Sequence, residues 1–369
     1  MTGLETDIQA PVIDLGSANV RAGFAGEDAP RTVFSDIVGT PKDARASRRV
    51  YVGDEARGMS STLHIVHPVR NGSVTDQSGV EAVLRHALVD ELRIEPSEQP
   101  VLVTEPVDGT QDHRERLARV LFDSFKVPAL QVVDTSSLAL CAAGRTTGVV
   151  VDVGWERSTA VVIVDGVLQP GTLATLAVGG RALTARMVDL LAEEGHTFAS
   201  GSARELAEGV KERVCYVADD PRQEADRCTP RVAELPGRER IKVEQAQYLC
   251  PEALFDPSLA GIDTPGLAGV VSAAIDAAAP GLRSELYRGI VLVGGSTLLT
   301  SLPDRLVREL SGQGKEVRVV APPERKYSTW IGGAVHASLA STQHQWTAKE
   351  QYDEKGPASL TSTSPHAPA

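Results

Sequence analysis

Two aspartates, Asp14 and Asp152, each sit near the end of an apolar run and lead into a glycine two residues on. The first run reads Pro11-Val12-Ile13-Asp14-Leu15-Gly16-Ser17, and continues to Arg21 and Gly26. The second reads Val149-Val150-Val151-Asp152-Val153-Gly154-Trp155-Glu156-Arg157-Ser158-Thr159. A carboxylate at a strand end can hold a hard cation such as Mg2+ through its water shell, because Mg2+ keeps several waters and takes one or two carboxylates plus phosphate oxygens. The glycines let backbone N–H groups approach phosphate closely. Arg21, seven residues after Asp14, falls on the returning strand, where its guanidinium can fork to a phosphate. Two such turns facing each other across a cleft would grip a nucleotide triphosphate and its metal from both sides. Either turn alone reads equally as a β-hairpin with a turn-capping Asp; the pair carries the phosphate reading. A third glycine turn, Val293-Gly294-Gly295-Ser296-Thr297, stands between an apolar strand and a helix. Such turns bring backbone near a base, sugar or phosphate, or serve packing alone. Lys211 and Glu212 fall on a helix, where a solvated face is the alternative to a binding role.

The elements that must position these residues alternate along the chain. The first signature predicts strand, turn, strand, with the second arm over 20–25. A charged, turn-rich lobe follows over 31–58, including the exposed loop Lys42 to Arg49. Helical spacing of Val80, Val83, Leu84, Ala87, Leu88 and Leu92 predicts a helix over 79–93. A buried strand follows at 100–104, then an amphipathic helix over 112–125 with Leu117, Val120, Leu121 and Phe125 inward and Asp112 as its cap. A strand at 130–133 leads to a helix at 135–144 that ends at Gly144. The second signature then restarts the pattern, with an inserted lobe over 181–262, a strand and glycine turn over 289–300, and a helix near 302–310. This is an α/β sheet duplicated at domain scale, not a solenoid. The Ser/Pro tail after 357 predicts disorder at its end.

Composition narrows the classes. With 369 residues the chain has room for two or more domains. A formal charge of −12 argues against binding nucleic acid or an anionic membrane through bulk charge. The 29 arginines against 8 lysines, with abundant Ala, Val and Gly, are the bias of a GC-rich genome and suit a bacterial one. Cys141, Cys215, Cys228 and Cys250 form no CxxC pair, which predicts reduced structural thiols rather than a zinc site or disulfide framework. The start, Met-Thr-Gly-Leu-Glu-Thr-Asp, has neither a basic nor an apolar leader region, and no apolar run reaches membrane-spanning length. The expected compartment is the cytoplasm.

The chain resembles actin over almost its whole length. The matching stretches are Ala22-Gly23-Phe24-Ala25-Gly26-Glu27-Asp28-Ala29-Pro30-Arg31, Tyr51-Val52-Gly53-Asp54-Glu55-Ala56, Gly144-Arg145-Thr146-Thr147-Gly148, Cys250-Pro251-Glu252-Ala253-Leu254-Phe255, and Pro322-Pro323-Glu324-Arg325-Lys326-Tyr327-Ser328 with Trp330-Ile331-Gly332-Gly333. The resemblance implies duplicated actin-like ATPase domains with ribonuclease H-like sheets, two smaller inserted lobes and a nucleotide cleft between the halves. It implies subdomain 1 over 1–30, 70–143 and 334–369, subdomain 2 over 31–69, subdomain 3 over 144–180 and 263–333, and subdomain 4 over 181–262. It further implies ATP or ADP with Mg2+ or Ca2+, head-to-tail self-assembly into cytoskeletal filaments, and hydrolysis coupled to them. By match to the family's motifs, Asp14 and Asp152 are the metal-associated aspartates, and Gly16, Ser17 and Arg21 are the first phosphate loop with its basic residue. Gly154, Trp155, Glu156 and Arg157 are the second loop, Lys211 and Glu212 are the adenosine-side pair, and Gly180, Gly294, Gly295, Ser296, Lys326 and Tyr327 surround sugar and base.

The departures from that pattern gather at the γ-phosphate end. Thr135 stands where the family has a Gln that helps place the attacking water. Trp155 replaces an Asp, Glu156 a Gly and Thr159 a His. A carboxylate beside a triphosphate is unfavourable unless it turns away or meets a cation, and Arg157 could supply that cation or bind phosphate itself. Trp155 packs over the sugar or fills space. Water-positioning groups contribute on the order of 100- to 10,000-fold in general acid–base terms, so the expectation is nucleotide binding with slow hydrolysis. The loop over 42–50 is short and basic where actin's is apolar, so any contact it makes to a neighbour is weaker, charge-based or absent. Leu259 and Ile262, in Phe255 to Ile262, are apolar points either for assembly or for packing on their own domain. Three readings follow: a filament-forming actin, a non-polymerising actin-related scaffold subunit holding nucleotide structurally, and, as the weakest, a phosphotransferase of the same superfold.

Overall fold

A computed structural model describes residues 9–43, 45, 49–198, 203–235, 239–312, 314 and 316–360. The chain folds into two compact units: one of 1–146, 165–167 and 327–369, the other of 147–164 and 168–326.

The first unit is built on β1 (Pro11–Leu15), β2 (Asn19–Phe24), β3 (Thr32–Ser35), β4 (Val101–Glu105) and β5 (Ala129–Asp134), in the order β5-β4-β1-β2-β3, with a short strand Thr347–Ala348 beyond β5. β1 runs antiparallel to β2 and parallel to β4, and β4 runs parallel to β5. Every residue of β1 and of β4 is buried because the sheet is covered, and the polar side chains on these two strands are Asp14, Thr104 and Glu105. Helix α1 (Gln77–Arg85) is capped by Asp76, whose side chain accepts from the Ser78 N–H at 3.1 Å, and continues as a π-turn over His86–Glu91. The expected 79–93 helix is therefore present in two forms of winding. Helix α2 (Gln111–Ala118) likewise passes into a π-turn, Arg119–Ser124, and keeps Leu117, Val120, Leu121 and Phe125 buried. Its cap corrects the sequence expectation. Thr110 Oγ1 accepts from the His113 N–H at 3.2 Å, while Asp112 pairs with Arg116 at 2.7 Å one turn on. Helix α3 (Thr135–Ala142) is capped by Asp134, and Gly144 closes it with φ +66°. The helix Ser328–Ser338 packs against α3, with Trp330 fully buried and its indole N–H bonded to the Val12 carbonyl at 3.0 Å. A three-stranded sheet of Val38–Pro41, Tyr51–Val52 and Leu63–Val66 has its own small core of Ile37, Ala56 and Leu63. The loop from Lys42 to Arg49 lies partly outside the described residues, as do the N-terminal Met1–Ile8 and the tail beyond Leu360.

The second unit repeats the pattern. Its sheet contains β6 (Gly148–Val153), β7 (Ser158–Val164), β8 (Ala174–Leu176), β9 (Ile290–Val293) and β10 (Val319–Val320). β6 is antiparallel to β7 and parallel to β9, β7 is antiparallel to β8, and β9 is parallel to β10. Strand for strand this is β3-β2-β1-β4-β5 again, so the duplication read from the sequence is physical. Helices α4 (Gly180–Glu193) and α5 (Ala203–Val214) pack on each other, and a hairpin of Arg231–Glu234 with Arg240–Val243 extends this lobe. α6 (Leu302–Ser311) follows the glycine turn after β9. One apolar core of valine, leucine and isoleucine side chains joins the sheet to these helices. All four cysteines are free thiols, with Cys215 and Cys250 buried.

Candidate functional site

The two signatures form hairpins of identical register. In the first, Leu15 pairs with Val20, leaving Gly16 to Asn19 as the turn, and the Gly16 N–H donates to the Asn19 carbonyl at 3.2 Å. In the second, Val153 pairs with Ser158, leaving Gly154 to Arg157, and the Gly154 N–H donates to the Arg157 carbonyl at 3.1 Å. The turns can therefore be compared residue for residue: Gly16 with Gly154, Ser17 with Trp155, Asn19 with Arg157.

Asp14 lies opposite Arg21, which explains the spacing of seven. Asp14 is only 4% exposed and its side chain is held at both oxygens. Oδ2 accepts from Arg21 Nη1 at 2.7 Å, and Oδ1 accepts from Thr104 Oγ1 at 3.0 Å. Arg21 is thus committed on one arm to the carboxylate, while its Nε is buried without a partner. Its guanidinium carbon lies 6.0 Å from the centre of the Tyr327 ring. Each carboxylate oxygen carries two acceptor lone pairs, so Asp14 retains one on each oxygen for the waters of a cation. Ser17 Oγ accepts from the Gly72 N–H at 2.9 Å, which ties the turn to the next segment. Thr135, half-buried, is the first residue of α3. Its neighbour Asp134 is buried and accepts from the Ser137 N–H at 2.8 Å, while its other oxygen has no partner. Burial raises the Asp134 pKa above the usual carboxylate value, against the pull of those hydrogen bonds.

The second unit carries the remaining residues except Tyr327, and brings Asp152, Gly154, Trp155, Gly180, Lys211, Gly294 and Ser296 together. Asp152 lies opposite Thr159, so the arm that carries a guanidinium in the first hairpin carries a hydroxyl here. Gly294 has φ +93°, and a Cβ there would lie 2.3 Å from Asp152 Oδ1 and 2.6 Å from the Val153 carbonyl oxygen. Only glycine leaves this room. The Gly294 turn is staked by its own Thr297, whose hydroxyl donates to the Gly294 carbonyl at 2.6 Å, and by Arg325, which donates to Thr297 at Oγ1 and at the carbonyl. Ser296 Oγ reaches the Gly154 carbonyl at 3.3 Å. The Gly180 N–H donates to the Gly154 carbonyl at 2.9 Å and the Arg181 N–H to the Trp155 carbonyl at 2.7 Å, so the turn is fastened to the start of α4. The Trp155 ring lies where it nearly touches Gly180, 2.8 Å from the position of an added Cβ.

Lys211 corrects the solvated-face alternative. It is buried on α5, its ammonium donates to Thr184 Oγ1 at 2.8 Å and to the Gly180 carbonyl at 3.1 Å, and it lies 5.3 Å from the Trp155 ring centre. This is cation–π range. Glu212, next to it, points out and is exposed, and Lys326 and Gly295 are exposed as well. Glu156 turns to a cavity of about 350 Å3 whose wall also carries Arg181, Arg186 and Arg204. Leu259 and Ile262 line the same cavity and pack partly on the core of their own unit. Thr104 and Thr184 are positioning residues that no motif marks, and Arg325 lies in a matching stretch without a role read for it; each acts through a partner at least 27 residues away in sequence, and only the fold brings them together.

A duplicated α/β sheet with an Asp-x-Gly hairpin in each copy defines the class of actin-like ATPase folds. The sequence comparisons agree. The actin family's profile matches residues 5–363. An actin-like protein of Neurospora crassa is 37% identical over 360 residues, covering 93% of this chain and 95% of that protein. The chain belongs to the actin family. Members of that family are ATPase-fold proteins that generally bind ATP or ADP with a divalent cation and commonly self-associate. No helix among the described residues is long and apolar enough to cross a membrane.

Proposed function

We propose that this protein is an actin-like cytoskeletal protein of the cytoplasm that binds ATP or ADP with Mg2+ or Ca2+, assembles with copies of itself into filaments, and hydrolyses ATP slowly. The observation that carries the reading is the equal register of the two Asp-x-Gly hairpins within equivalent sheets. The residues present fit such a ligand. Asp14 keeps acceptor capacity for cation-bound water, and glycine at 294 leaves a space beside Asp152 that any side chain would fill.

In this reading Asp14 and Asp152 hold the cation's water shell. The bound cation supplies charge neutralisation at the phosphates. Gly16, Ser17 and Gly154 offer backbone N–H groups, and Arg21, steadied by Asp14, offers its remaining N–H donors. Gly180, Gly294, Gly295, Ser296, Lys326 and Tyr327 bound the nucleoside, with Lys211 fixing the Gly180 end of α4. Glu212 stays with this set as the exposed member of the pair. Thr135 can hold a water by one hydroxyl but cannot accept its proton as a base would. Asp14 and Asp152 would orient the reacting end through the cation's waters, without taking that proton. Slow turnover follows from this set.

The second reading is a non-polymerising actin-related subunit that holds nucleotide structurally. The Trp155-Glu156-Arg157 turn favours it, since the ring packs on Gly180 and the carboxylate turns to the cavity. Sedimentation and negative-stain microscopy after adding ATP and Mg2+ separate the two. Pelletable filaments with phosphate release above buffer support the first. A monomer that binds nucleotide by calorimetry supports the second, and absence of nucleotide binding overturns both.

A further inference from the structure

The cavity beside Glu156 is explained by neither reading. It lies wholly within the second unit, between the first two turns of α4, the start of α5 and the segment containing Leu259 and Ile262. Three arginines line it, the exposed Arg181 and Arg204 and the half-buried Arg186. None of the three has a side-chain hydrogen bond or ion pair among the described residues, and Arg186 Nε is buried with no partner. The buried and half-buried arginines Arg21, Arg114, Arg305 and Arg325 are by contrast all fastened to carboxylates or carbonyls. A buried N–H without an acceptor, here Arg186 Nε, costs about 1–3 kcal/mol, and three arginines on one wall outnumber its two carboxylates, Glu156 and Asp189. An oxyanion resolves both, because a guanidinium presents parallel N–H donors to two oxygens at once.

We propose that this cavity is a binding site for a small phosphorylated organic molecule, distinct from the proposed nucleotide site and bordered by Glu156 of the second turn. The phosphate would take the guanidinium groups of Arg181, Arg186 and Arg204, and an apolar body would lie against Leu259 and Ile262. The two carboxylates on the wall, Glu156 and Asp189, leave the lining with a net charge near +1. That charge suits a single phosphate group and disfavours a long polyanion. A volume of about 350 Å3 holds a small ligand of this kind. Glu156 sits in the turn that follows Asp152, so an occupant would touch the same hairpin that carries the second aspartate.

The test is calorimetric titration of the full chain with phenyl phosphate and with inorganic phosphate at fixed ionic strength. Three proteins are compared: the wild type, Arg186→Gln/Arg204→Gln, and Arg21→Ala as a control in the other phosphate-reading turn. Each variant is checked by its melting curve. The proposal expects saturable binding of phenyl phosphate, several-fold tighter than inorganic phosphate. It expects a loss of about tenfold or more in the double variant, and an unchanged value in Arg21→Ala. Asp189→Asn should tighten binding, and Leu259→Ala should shrink the preference for phenyl phosphate. No saturable binding in the millimolar range overturns the proposal. So does a loss in Arg21→Ala, which would place the phosphate at the Asp14 turn. Since Arg21→Ala reports on that turn directly, failure here is distinguishable from failure of the nucleotide reading.

Discussion

Replacing Gly294 by alanine tests how the second turn is built. At φ +93° an L-residue pays roughly 1–2 kcal/mol in local backbone strain. The new Cβ would stand 2.3 Å from Asp152 Oδ1, 2.6 Å from the Val153 oxygen and 2.9 Å from the Val153 carbonyl carbon. Two of these three are backbone atoms of β6, so the strand end must move by most of an ångström. Overpacking of this sort costs about 1–3 kcal/mol, and the two terms together give about 2–5 kcal/mol. Gly295→Ala is the internal control, because no atom lies within 4 Å of its would-be Cβ. It should fall within about 0.5 kcal/mol of wild type. Trp155 is the one tryptophan of the second unit, Trp330 and Trp346 belonging to the first. Urea unfolding of a Trp330→Phe/Trp346→Phe background therefore reports the second unit alone, and avoids treating two units as one transition. Gly294→Ala is then titrated with ADP and Mg2+ beside the wild type, where it should weaken binding through displaced Asp152. Equal urea midpoints for the two alanine variants would refute the reasoning.

Three further outcomes follow from the geometry. Arg305 is buried, grips Glu252 through two bonds of 2.7 and 3.0 Å and donates to the Ala218 carbonyl; Arg305→Leu should cost about 3–5 kcal/mol by stranding that carboxylate, while Arg305→Met with Glu252→Met should recover most of it in the same urea assay. Burial, aided by Arg114 and Arg116 and opposed by Asp112, pushes the His113 pKa down to about 4 from 6.5, and its Nδ1 accepts from the Val74 N–H. The unfolded chain therefore binds the proton more readily, and this contribution is intact above pH 6.5 and lost as pH falls toward 4. About 2 kcal/mol should be gone by pH 5, and His113→Asn, which keeps an acceptor but does not titrate there, should flatten that slope in a pH series of unfolding curves. Thr135→Gln should raise phosphate release by at least about tenfold if water placement limits turnover, with ADP affinity unchanged by calorimetry.

How much of this was legible in the sequence depends on whether a local rule sufficed. Hairpins are local: apolar alternation and the glycines locate both turns, and the spacing of Asp14 and Arg21 is a direct result of their being cross-strand partners. Helix positions were legible from the apolar stripe, but the π-turns after α1 and α2 were not, since the same stripe serves either winding. The cap of α2 went to Thr110 over Asp112 because two adequate cap residues lay two positions apart, and sequence alone does not rank them. Lys211 was singled out by the resemblance, but its burial could not be read from its own helix. A lysine on a polar helix face is ordinarily solvated, and what draws this one inward is a carbonyl and a hydroxyl on α4, 31 and 27 residues away. Thr104, which donates to Asp14 across 90 positions, was invisible for the same reason.

The equal registers make the unlike contents of the two turns interpretable. In the first, the carboxylate is matched by a guanidinium directly across the hairpin, so charge is balanced before any ligand arrives. In the second, the residue across from Asp152 is the uncharged Thr159, so no guanidinium stands at that position. The buried Lys211 of the same unit is bonded to Thr184 and the Gly180 carbonyl and lies on the face of Trp155. The Trp155 ring therefore does more than fill the space an Asp once took. It occupies the face of Gly180 and shares the lysine, so it couples the second turn to α4 as one packed piece. A change at the phosphates would reach α4 through that piece, and Glu156, turned to the arginine-lined cavity, is the residue through which the cavity would feel it.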